Sequence, residues 1–157
     1  MPIPIPSKQE DAYAALKVAL ATELPSATVR RWVGDMNLGR QTFRSEWPKA
    51  TSDYLLIIRA TGLDATRDEI GDESMSRNGH GEIIGECYDE ADSTRPTKWQ
   101  ALADGVQNGI ARAYRDNPWD SSRFRYIFGN FVSLESGEVE PPYAGIRAPF
   151  VVETYEG

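Results

Sequence analysis

The residues able to do chemistry in this chain are few and scattered. The only histidine, His80, sits in Asn78-Gly-His-Gly81, and the only cysteine, Cys87, follows seven positions later. A nucleophile–histidine–acid triad needs an imidazole held firmly against its partners. The glycines flanking His80 place it instead at the tip of an exposed turn. A zinc site takes several Cys or His ligands, and one of each does not supply them. Glu86, Asp89, Glu90 and Asp92 cluster near a strand end, where oxygen ligands could hold Mg²⁺ or Ca²⁺. The twelve-residue calcium-loop pattern is absent, and the stretch reads as a solvated acidic turn. Gly34-Asp-Met-Asn-Leu-Gly39 lacks the lysine and hydroxyl residue of a phosphate-binding loop. Nothing in the sequence brings two carboxylates together for glycosidase chemistry. No catalytic, cofactor-binding or metal-ligating residue is assigned, and the chain reads as a non-enzyme.

The tryptophans are the remaining candidates for a ligand pocket. Trp99 lies on the apolar face of a helical pattern and reads as core. Trp47 and Trp119 each stand beside a proline in segments read as loops, and both read as anchors at a subunit interface.

Charge is distributed unevenly. The net charge of −7 argues against phosphate-backbone binding as the main task, although nucleic acid could slide past such a surface as cargo. Between positions 28 and 49, Arg30, Arg31, Arg40, Arg44 and Lys49 face only Asp35 and Glu46. Between 64 and 92 acids dominate, with Asp68, Glu69, Asp72 and Glu73 at the centre of the run. A split of this kind suits head-to-tail contacts between identical subunits, which close into rings where the rotation permits. The plainer reading is two solvated faces of different composition. On the first reading Arg30, Arg31, Arg40 and Arg44 form one side of a subunit interface, the four central acids the other, and Trp47 and Trp119 are its anchors.

These residues need elements to hold them. Residues 1–7, with alternating prolines, read as an extended arm. Ser7 and Glu10 are spaced as a capping box, and Tyr13, Leu16, Leu20 and Leu24 recur at helical spacing up to Pro25, predicting a helix over 8–24. Thr28 to Val33 reads as a strand. Gly34 to Pro48 reads as a loop or ribbon on its Gly, Asn and Pro punctuation. Asp53 to Ala60 reads as a central strand buried on both faces. Asn78-Gly79 predicts a hairpin turn, with Gly81 to Tyr88 as the returning strand. Trp99, Leu102, Ala103, Val106, Ile110, Ala113 and Tyr114 predict a second helix, ended by Asn117-Pro118. Gly105 and Gly109 inside it predict close approach to the sheet or to another subunit. Arg123 to Glu135 alternates as a long strand, and Ile146 to Tyr155 closes the chain, with Pro149 marking an edge or a bulge. The expectation is a single α+β domain with one mixed or antiparallel sheet and two main helices packed on one face.

This order of elements, together with the closing Val152-Glu-Thr-Tyr-Glu156, resembles the tail terminator family of long-tailed bacteriophages, whose lambda-type members end on a similar strand. The resemblance in element order covers most of the chain, and the residue-level match its C-terminal end. It implies a homo-oligomer, a hexameric ring, that caps the head-proximal end of the tail tube, stops tube polymerisation and offers a head–tail joining surface. Its partners would be the tail tube protein and a head–tail connector or stopper protein. Genomic DNA would pass through the channel without specific binding, and no membrane or cofactor is involved. The protein would reside in the virion tail or neck after assembly in the host cytoplasm. The segment Asp64 to Glu82 is then the candidate contact loop. Two alternatives are another phage neck protein and a small α+β ligand-binding protein using the acidic cluster.

Overall fold

Alanines and leucines at helical spacing form α1 (Lys8–Glu23) in the computed structural model of the protein, which describes residues 8–67, 75–116, 124–128, 132–133 and 140–156. The proposed N-terminal arm and the Ser7 half of the capping box lie outside these residues. After α1 come β1 (Ala27–Trp32), α2 (Met36–Glu46), β2 (Tyr54–Arg67), β3 (Met75–Tyr88), α3 (Arg95–Asp116), β4 (Phe124–Phe128), β5 (Val132–Ser133) and β6 (Tyr143–Glu156).

The strands form one sheet in the order β1-β2-β3-β6-β4, with β5 also paired to β6. Only β1–β2 is parallel. Leu56, Ile58, Ile83, Ile146 and Phe150 point to one face, where Leu16 and Leu20 of α1 and Leu102 and Val106 of α3 complete the main core. The expected α+β fold, one mixed sheet with two main helices on one face, is the observed one.

The opposite face carries a third helix, which corrects the reading of Gly34 to Pro48 as a loop or ribbon. A parallel strand pair cannot be closed by a tight turn, and α2 is the crossover between β1 and β2. Asp35 caps it: its side chain accepts from the Leu38 amide at 2.9 Å. Met36, Phe43 and Trp47 then bury against Leu55, Ile57 and Ile84 as a second, smaller core.

The Asn78-Gly79 turn is also corrected. Both residues lie inside β3, with Asn78 opposite Asp64 and Gly79 opposite Leu63. The strands of the hairpin are each fourteen residues long, so Asp64–Arg67 and Met75–Glu82 are strand rather than loop, and His80 is a strand residue rather than a turn tip. An Asn-Gly pair permits positive φ without requiring it. Here β3 is held by β2 on one side and by β6 along its whole length on the other, and two ladders outweigh a local turn preference.

β6 is no edge strand; β3 flanks one side and β4 and β5 the other. Pro149 falls between the stretch paired to β5, which ends at Arg147, and the stretch paired to β4, which starts at Phe150. A residue without an N–H is placed where the outer partner changes. The predicted 123–135 strand is described only as β4 and β5; the residues between them lie outside the described set.

Gly105 and Gly109 accommodate neither the sheet nor a subunit but α1 and the residue after it. A Cβ at Gly105 would lie 2.4 Å from Leu24 Cδ2, and one at Gly109 would lie 2.7 Å from Leu20 Cδ2 and 3.2 Å from its Cα. The two helices therefore pack closely through leucines on glycines.

Cys87 points into the main core and is fully buried. Burial pushes its thiol pKa up, against smaller opposing pulls from a backbone hydrogen bond and Lys98. The thiolate is the reactive form. Labelling by a thiol reagent at pH 8 is therefore expected to be slow in the native protein and to rise with urea in step with global unfolding. Fast native labelling would contradict this placement.

Candidate assembly surface

α2 is fastened to the sheet by charge as well as by apolar contact. Glu86 of β3 is fully buried beneath the helix. Arg44 donates to both its oxygens, Nε to Oε2 at 2.8 Å and Nη2 to Oε1 at 2.7 Å. Arg40 Nε lies 3.4 Å from Oε1. The forked geometry matches guanidinium to carboxylate. The Arg44 guanidinium also sits 4.1 Å from the centre of the Tyr143 ring, a cation–π contact. Tyr88 and Tyr143 meet edge to face with centroids 5.3 Å apart. The Trp47 ring lies beside Tyr143, and its Nε1 donates to the Ser52 carbonyl at 3.0 Å. Lys49 donates to the Arg44 carbonyl at 3.0 Å, near these rings.

Three residues read as subunit contacts are thereby corrected. Arg40 and Trp47 are both 4% exposed, and Arg44 spends its guanidinium on Glu86. All three hold α2 within their own chain. Charge counting along the sequence could not reveal this, because the carboxylate that neutralises Arg40 and Arg44 is 42 positions from the nearer of them. A signal for the helix was present: positions 36, 40, 43 and 47 share one helical face, obscured because position 40 is arginine and Gly34, Asn37, Gly39 and Pro48 punctuate the segment.

A second carboxylate on the same sheet face, Glu82, lies between Arg59 and Arg147, each with a nitrogen 3.2 Å from one of its oxygens. The Arg59 and Arg147 side chains remain 28% and 33% exposed.

Arg30 and Arg31 are exposed, on opposite faces of β1. Arg31 pairs with Glu10 and lies 4.8 Å over the Tyr13 ring. Burial raises the Tyr13 pKa, and the Arg31 charge pulls it back in part. Arg30 donates only to the carbonyl of Val29 and has no carboxylate partner among the described residues. Just beyond β1, Val33 is 76% exposed, and Leu38, in the first turn of α2, is 56% exposed. The β1–α2 corner thus shows two apolar side chains next to a strand carrying two arginines. Sequence reasoning assigned neither Val33 nor Leu38 a role. Asp68, Glu69, Asp72, Glu73 and Trp119 lie outside the described residues.

The acidic stretch disperses. Glu86 is inside, while Asp89 accepts from the Ala91 amide and the Thr94 hydroxyl at the start of α3, and those bonds hold its pKa below the usual carboxylate range. Asp92 pairs with Arg95. Among the described residues no group of three or more His, Cys, Asp or Glu could hold a metal ion, and no helix is long and apolar enough to cross a membrane. Trp99 packs against the main core, with Nε1 donating to the Gly145 carbonyl at 2.8 Å. No family model matches the chain, and no curated protein matches it.

Proposed function

We propose that this protein is a structural component of a bacteriophage virion, a tail terminator that assembles as a ring on the head-proximal end of the tail tube. In that role it stops tube polymerisation and presents the surface that joins the head. The observation that carries the reading is the sheet's division into two parts. A body is clamped between α2 and the α1–α3 pair. Beyond the last β1 pair, Trp32 with Arg59, β2 runs on to Arg67 together with β3, β6 and β4. A heterologous ring contact joins two different surfaces of every subunit, and on this reading the sheet beyond β1 would be one and the β1–α2 corner the other.

Glu86, Arg40 and Arg44 secure α2, so they serve the scaffold. The partners in this role are further copies of the chain, the tail tube protein and a head-side connector or stopper. DNA passes through the ring as cargo, and an acidic protein does not retain it.

The test is electron microscopy of lysates from a parent phage lacking the gene. Overlong tails without heads are the expected result. Tails of normal length beside unattached heads would move the protein to the head side of the neck, and normal virions would overturn the reading.

A further inference from the structure

We propose that copies of this chain join into one continuous sheet, β4 of one copy adding as a strand to the open edge of β2 in the next, in the notch above the β1–α2 corner. This rests on the ring reading above and names its contact.

The sheet has two unlike edges at the same height. On one side β1 covers β2 only as far as Trp32 opposite Arg59. Gly34, with φ 123°, then turns the chain off the sheet towards α2. From Ala60 to Arg67, β2 is paired to β3 alone among the described residues. On the other side β4 is paired among them to β6 alone. Such edges present N–H and C=O groups that a strand of another chain can satisfy. Neither Ala60–Arg67 nor Phe124–Phe128 contains a proline that would remove a donor. At the foot of the open β2 edge the corner adds apolar surface, with Val33 and Leu38 exposed.

The ladders fix how these edges meet. Ile127 is level with Val151, His80 and Gly62 in turn, and Phe124 with Thr154, Arg77 and Ala65. β4 thus stands level with the stretch of β2 that β1 leaves open. Three successive antiparallel pairings also make β4 antiparallel to β2. The operator of a closed ring is a rotation without translation. About an axis along the strands, it changes neither their height nor their direction. It brings β4 beside Gly62–Ala65 of the next copy in antiparallel sense, with Arg125 opposite Asp64, an opposite-charge pair. Phe128 then meets the Val33 end of β1. Within one chain the contact is impossible, because β3 and β6 stand between the two edges and hold them about 14 Å apart.

The test places cysteines at the matched positions, Asp64→Cys and Arg125→Cys, in one chain. A disulfide needs Cα atoms within about 7 Å, so the two cannot bridge within a chain, and Cys87 is fully buried. Oxidation of the purified protein with copper phenanthroline is expected to give a ladder of covalent multimers on a non-reducing gel, absent from either single variant. Product that stays monomeric would overturn the proposal. Dimers from a single variant would overturn it too, because like edges would then be meeting. Pairing Arg125→Cys with Thr66→Cys, two positions off register, is expected to cut the ladder about tenfold. An undiminished ladder there would show proximity without strand pairing and overturn the proposal as stated. The gel and the microscopy fail separately. A ladder from a protein whose loss leaves normal tails keeps the contact and removes the terminator; overlong tails without a ladder do the reverse.

Discussion

Replacing Glu86 with glutamine is expected to cost about 3–5 kcal/mol of folding stability, read as a lower urea midpoint with an unchanged slope. The carboxylate is fully buried and is shared by Arg40 and Arg44. Removing its charge leaves the Arg40 guanidinium, itself 4% exposed, inside the protein without the carboxylate beneath it. The penalty is the desolvation of that charge rather than the loss of one hydrogen bond. A triple replacement by apolar residues of similar volume at all three positions is expected to be far milder, because no buried charge then remains to be compensated. A loss below about 1 kcal/mol for Glu86→Gln would place the triad in the range of solvent-exposed pairs and would contradict its burial.

Gly105→Ala is expected to destabilise the protein even though alanine is worth about 1 kcal/mol more than glycine in a helix interior. The new methyl would stand 2.4 Å from Leu24 Cδ2 and 2.5 Å from Leu24 Cγ. The whole leucine side chain must then move, in a place where α3 meets the end of α1. Overpacking of this kind costs about 1–3 kcal/mol, enough to cancel or exceed the propensity gain. The diagnostic is a double-mutant cycle with Leu24→Ala. The double variant is expected to lose less than the sum of the singles, because the smaller side chain makes room for the methyl. Additive losses would mean that Leu24 is not what the glycine accommodates.

Both predictions turn on contacts between residues distant in the chain, and this marks the limit of what local pattern could convey. The period of the apolar residues was enough for α1 and α3, since a helix face must be apolar where it meets a core. The run Tyr54 to Ile58 was enough for a strand buried on both faces, and Leu55 and Leu56 do enter opposite cores. The glycines in α3 announced a close approach, though not its partner.

What the sequence by itself determined was therefore the content of the sheet, its two main helices and their shared face. Those follow from short-range periodicity, which is local in the chain. Tertiary structure alone decided the rest. The neutralisation of Arg40 and Arg44 by Glu86, and of Arg59 by Glu82, turned residues that count as surface charge into parts of the scaffold. The ladders on both sides of β3 carried Asn78-Gly79 straight through a point where it could have turned. The parallel pairing of β1 with β2 demanded a crossover and made α2 from a segment punctuated like a loop. In each case the deciding partner is remote along the chain, and no local preference of a kcal/mol or so outweighs a buried charge or two strand ladders.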